Sequence, residues 1–165
     1  MRKSFADELS LIMLENKNVW LLTADLGYGV LDDIRYDFPD RFLNCGASEQ
    51  AMVDIAVGLS LSGKIPFVYS ITPFLLYRPF ESIRNYVDRE NLNIKMIGVG
   101  RNKDYLDDGF THWAEEDREI MKIFKNIKCF YPETNSEMRN IVRLAVVDES
   151  PYYINLKRYG ESKSV

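Results

Sequence analysis

Glu49 closes the run Asn44, Cys45, Gly46, Ala47, Ser48, Glu49, at the point where an expected strand gives way to an expected helix. A carboxylate so placed either moves protons for a ligand or simply complements the positive end of the helix. Asp25 and Leu26 stand where the first expected strand ends, within Thr23, Ala24, Asp25, Leu26, Gly27; an aspartate there also makes turns. His112, the one histidine, follows Asp108, Gly109, Phe110 and Thr111 in a polar loop. Histidine is the side chain most often used for proton transfer, although a loop histidine can equally be solvated. Arg101 opens that loop, and its planar guanidinium suits bidentate phosphate binding or plain solvation. Phe74 and Tyr77 follow Tyr69, Ser70, Ile71 and are either core aromatics or the wall of a ligand pocket.

The elements that must position these groups follow from hydrophobic spacing. Phe5, Leu9, Ile12 and Met13 predict a helix over 5–16 with Ser4 as its cap. The continuous apolar run at 19–23 predicts a strand covered on both faces. Further along, the pattern predicts helix 30–36, strand 42–45, and helix 50–61 carrying Met52, Ile55, Ala56 and Leu59, with Gly63 as its stop. Strand 65–71, a helix opening at Pro79 and running to about residue 89, and strand 94–99 come next. After the loop at 101–111 come helix 114–124, strand 128–131, helix 136–147 and strand 152–157, with a frayed tail at 161–165. Strict alternation implies an α/β fold: one domain over 1–165, doubly wound, its sheet mainly parallel with helices on both faces. Ligands of such sheets gather at the carboxyl ends of the strands, where every residue singled out above falls.

Several motifs in fixed order then resemble the pyrimidine-binding domain of the transketolase family. They are 23–27, 44–50 and 108–112, together with Phe5, Ala6, Asp7; Phe38, Pro39, Asp40, Arg41, Phe42; Gly63, Lys64, Ile65, Pro66, Phe67, Val68; and Tyr153, Ile154, Asn155, Leu156. The resemblance implies that Glu49 is catalytic, bonding a ring nitrogen of the aminopyrimidine of thiamine diphosphate inside a low-dielectric pocket. It implies that Phe74, with Tyr77, packs on that ring and that Asp25 and Leu26 approach it. Asp108 and His112 would bind the hydroxyls of a ketose donor, and Arg101 a substrate phosphate. Phe110 stands where relatives often carry Pro and Trp113 where they carry a second His or Gln, which alters the pocket; Gly29 stands where transketolases often carry a phosphate-contacting Ser, which leaves phosphorylation of donor or acceptor open. The family's Gly-Asp-Gly and Asn segment for diphosphate and magnesium is absent, and 165 residues leave no room for its third domain. The expected assembly is therefore a heterodimer or heterotetramer with a diphosphate-binding subunit that also supplies the Mg2+ ligands, active in ketol transfer only when paired. A decarboxylating or acyl-transferring enzyme, or a noncatalytic module of the same fold, are the rival expectations.

Bulk properties agree with a single globular domain. A hydrophobic share of 46%, a charged share of 28% and a net charge of -4 give no footprint for nucleic acid. No apolar run approaches the roughly 20 residues that cross a bilayer, so a soluble cytoplasmic protein is expected. Cys45 and Cys129 lie far apart in sequence and are expected to be reduced, buried thiols.

Overall fold

Six apolar runs pair side by side and all in one direction in the computed structural model, which describes residues 1–159. The strands are β1 (Val19–Thr23), β2 (Phe42–Asn44), β3 (Ile65–Ile71), β4 (Lys95–Val99), β5 (Lys128–Phe130) and β6 (Tyr152–Leu156), in the order β2-β1-β3-β4-β6-β5. The sheet is wholly rather than mainly parallel. The expectation for residues 161–165 lies outside the described residues.

Register explains the two hydrophobic layers. Leu22, Val68, Met96 and Tyr153 lie side by side in adjacent strands. Side chains alternate faces along a strand, so this row looks one way, onto Met52, Val53, Ala56 and Val57 of α3 (Glu49–Leu61). The next row, Tyr69, Ile97 and Ile154, looks the other way, onto α1 (Arg2–Glu15) and α7 (Asn135–Val147). Fully burying Phe5, Leu9 and Met13 of α1 contributes about 1.5–3 kcal/mol each. One pleat beyond Leu22 and its neighbours, the same face carries Ser70, Gly98 and Asn155, again in register. Large apolar side chains give way there to small and polar ones, and that row is the floor of the site.

Several expected boundaries move. The cap of α1 is Met1, not Ser4, which lies inside the helix. In α3 the buried face includes Val53 and Val57, whereas Ile55 is exposed: the helix presents the flank next to Glu49 to the sheet. The helix expected after Pro79 is present from Phe80 to Asp88, and an unexpected helix precedes it. α4 (Thr72–Tyr77) follows β3 directly, and Pro79 then forces a restart in α5 (Phe80–Ser82), which widens into a π turn over Ile83–Asp88. Between Asp32 and Asp37 lies α2, shifted slightly from its expected span, and α6 (Asp117–Met121) is much shorter than the 114–124 expected, because Ala114 is held in a bridge to Asn102 instead. Both cysteines are free, as expected, but Cys45 is only half-buried and Cys129 is exposed on an edge strand.

Candidate functional site

Glu49 reaches its place because the chain turns sharply after β2. Gly46 takes φ +68°, a conformation that favours glycine. Asn44 holds the turn, its Oδ1 accepting the amides of Gly46 at 3.1 Å and Asp25 at 2.9 Å. Glu49 is then the first residue of α3, and only 2% exposed. Both carboxylate oxygens are occupied: Ser70 Oγ donates to Oε1 at 2.9 Å, and Arg78 Nη1 reaches Oε2 at 2.5 Å. The Arg78 guanidinium also lies 4.1 Å from the centroid of the Phe74 ring. His112 meets that ring edge-on at 4.9 Å and lies 6.0 Å from Tyr105. Glu49 of α3, Phe74 of α4 and His112 of the loop after β4 thus form one cluster, Arg78 joining the first two and His112 packing on Phe74.

A buried polar network ties the start of α4, which carries Phe74, to β6, to α6 and to the residue that follows β4. Asn155 Nδ2 donates to Thr72 Oγ1, at the start of α4, and to Asp117 Oδ2, while Thr72 Oγ1 donates to the carbonyl of Gly100. Tyr153 also donates to Asp117, whose carboxyl burial pushes above its ordinary range. Gly98 is required beneath it: a Cβ there would stand 2.8 Å from Thr72 Oγ1 and 3.0 Å from Tyr153 Oη.

The other expected site residues have contacts of their own. Asp25 is exposed with φ +51°; the Tyr28 hydroxyl at 2.6 Å, and then Asn44, hold its carboxyl below the usual carboxylate range. Leu26 is half-buried against the α1 face of the sheet. Tyr77 is 45% exposed, donates to Glu116, and is pushed up to about 12 by burial and by that carboxylate. Asp108 lies 3.4 Å from Arg158. Arg101 turns inward rather than toward the loop surface. Its guanidinium donates to Asn155 Oδ1, to Glu133, and to the carbonyls of Pro132 and Asn155. With four of its five N–H groups so committed, Arg101 ties β6 to the turn after β5 and is not presented to a phosphate. Sequence reasoning missed Ser70, whose signal was a serine in an otherwise apolar and aromatic strand, and Arg78, which gave no periodic signal. Among the described residues no group of three or more His, Cys, Asp or Glu could hold a metal. Among the described residues no helix is long and apolar enough to cross a membrane.

Glu49 and the Phe74 face suit a flat, nitrogen-bearing ring, because a planar N–H donor, the Arg78 guanidinium, already bonds the one and stacks on the other. The fold and this cluster define a doubly wound α/β domain whose site lies at the carboxyl ends of its strands. The chain belongs to the transketolase family as a pyrimidine-binding domain: residues 1–159 match the family described as "Transketolase, pyrimidine binding domain". It is 32% identical over 159 residues to a putative transketolase C-terminal section from Methanocaldococcus jannaschii, covering 96% of this chain and 50% of that one. It is 36% identical over 120 residues to one subunit of an apulose-4-phosphate transketolase from Actinobacillus succinogenes, covering 73% of this chain and 39% of that one. A solved split-gene transketolase, described as an inactive beta4 tetramer, superposes with TM-score 0.86 at 33% identity over 99% of this chain and 53% of its own. The chain thus spans about half the length of the relatives it matches.

Proposed function

We propose that this chain is the pyrimidine-domain subunit of a two-component, thiamine diphosphate-dependent transketolase-like enzyme that moves a two-carbon ketol unit from a ketose to an aldehyde. The observation that carries this reading is Glu49, buried at a helix start with its carboxylate facing the Phe74 ring across Arg78. Glu49 and Phe74 would hold the aminopyrimidine, with Tyr77, Asp25 and Leu26 around it. When bound, thiamine diphosphate supplies the nucleophilic carbon that adds to a carbonyl. Glu49 holds or releases a proton at its carboxyl, and Ser70 fixes the rotation of that group. His112, packed on Phe74, orients a donor hydroxyl, with Asp108 farther along the same loop.

Names of relatives support the two-component reading: one is a transketolase subunit, another a split-gene chain inactive as a beta4 tetramer. We place the diphosphate and Mg2+ sites on the partner subunit and favour a heterotetramer of two chains of each kind, at work in sugar metabolism. The free thiols suit a reducing compartment such as the cytoplasm.

Reconstitution tests the proposal. This chain, mixed with a diphosphate-binding partner subunit, thiamine diphosphate, Mg2+, a ketose and an aldehyde, is expected to transfer the ketol unit, and neither chain alone should. Glu49→Gln, which keeps the shape and the Ser70 bond, should lower kcat by about 10²–10⁴-fold. Full activity in that variant refutes the assignment.

A further inference from the structure

Both features that Glu49 and Phe74 offer a heterocycle are taken up by one side chain of the chain itself. Arg78 Nη1 lies 2.5 Å from Glu49 Oε2, and the same guanidinium lies 4.1 Å from the Phe74 ring centroid. Few side chains can do both: guanidinium is flat, carries N–H groups in a fixed fork and stacks on aromatic faces. An aminopyrimidine is likewise flat, bonds a carboxyl group through its nitrogens and stacks. We propose that Arg78 is a placeholder for the coenzyme's ring, holding Glu49 and Phe74 in position until the ring expels it toward solvent. This inference rests on the reading that Glu49 and Phe74 hold the aminopyrimidine.

The two ends of the ion pair differ in the way such a role demands. Glu49's side chain is 2% exposed and Arg78's is 46% exposed. Without a partner the buried carboxylate would be left with Ser70 alone, which is costly. Arg78, in contrast, has water beside it and a short path out. Its backbone stays behind: Arg78 is in the helical region although Pro79 follows, an unusual conformation, and its amide keeps a long bond of 3.4 Å to the Phe74 carbonyl. Only the side chain must turn, a motion of picoseconds to nanoseconds for exposed residues. The placeholder therefore competes at equilibrium and does not slow binding.

The test titrates thiamine diphosphate, with Mg2+, into this chain assembled with its diphosphate-binding partner, by calorimetry. Wild type is compared with Arg78→Met, Arg78→Lys, Glu49→Gln and the double variant Glu49→Gln/Arg78→Met. Removing the competitor should tighten binding by about five- to tenfold in Arg78→Met, since apparent affinity scales with the fraction of molecules in the open arrangement. Arg78→Lys, which keeps charge but loses fork and stack, should gain less; it stands in for the methionine variant if that one does not fold. In the Glu49→Gln background the change at Arg78 should have little effect, because a neutral amide holds the guanidinium weakly. Equal or weaker binding by Arg78→Met and Arg78→Lys, with wild type binding normally, overturns the placeholder and leaves the proposed function standing. Failure of the wild-type assembly to bind thiamine diphosphate overturns the functional reading, and the placeholder falls with it.

Discussion

His112 and Arg101 sit on one loop, yet the structure gives them opposite surroundings. His112 packs against Phe74, so its contribution should appear in turnover. We expect His112→Asn to lower ketol transfer about tenfold, the effect of losing one hydrogen bond to substrate, with the melting temperature nearly unchanged. Unchanged turnover would instead favour an acyl-transferring or decarboxylating relative. Arg101 is buried, and Arg101→Met should cost about 2–4 kcal/mol, measured by denaturant unfolding, because two carbonyls and an amide oxygen lose their donor. The ratio of KM values for phosphorylated and unphosphorylated substrates should not move; a selective rise for the phosphorylated one would restore the anchoring role. The sequence made Glu49 legible because its motif has a fixed place between strand and helix. It left Arg101 ambiguous because the same guanidinium serves a phosphate or a set of carbonyls, and only packing decides between them.

Among the elements, β4 links the site to the far end of the sheet. Gly98 lies under Thr72 and Tyr153, and Gly98→Ala must push aside a β-branched side chain already bonded to Gly100. We expect a loss of about 1–3 kcal/mol and weaker coenzyme binding through α4, read by thermal melting and titration. At the other end, Lys95 is fully buried, its Nζ bonded to the carbonyls of Asp148 and Ser150 and 4.6 Å from the Tyr152 ring centroid. Burial lowers its amine to about 7 from an ordinary 10.5. Between those values the unfolded chain binds more protons, so stability should rise with pH, by at most about 1.4 kcal/mol per unit from this group. The cost is full below about pH 7 and fades toward 10, and Lys95→Met should flatten the rise in a pH series of unfolding curves. The order of strands and helices was legible from apolar runs and their spacing. α4 was not: the helix after Pro79 was expected and is there, but the chain already turns helical directly after β3 and breaks at Pro79 before that helix.

At the scale of the whole molecule, the sheet's two edges are strands of only three residues, β2 and β5. Such short edges offer little for strand-to-strand association, so the assembly we propose would use another surface. Around the carboxyl ends of the strands, Phe110 is 80% exposed, Leu106 62% and Tyr28 65%. Phe110 and Leu106 lie in the loop that carries His112, beside the Glu49 and Phe74 cluster. In our reading the diphosphate-binding subunit covers this rim and closes the site. Phe110→Asp removes apolar area at a place where the isolated chain loses nothing by the change. The stability of the isolated variant should therefore stay within about 0.5 kcal/mol of wild type. Its affinity for the partner should fall by more than about tenfold, the behaviour of a central aromatic contact. Coenzyme affinity of the mixture should fall in parallel and recover at high partner concentration, because mass action restores the complex. Sedimentation and titration read both. If the variant assembles as tightly as wild type while turnover is lost, Phe110 belongs to the substrate pocket and the partner seats elsewhere.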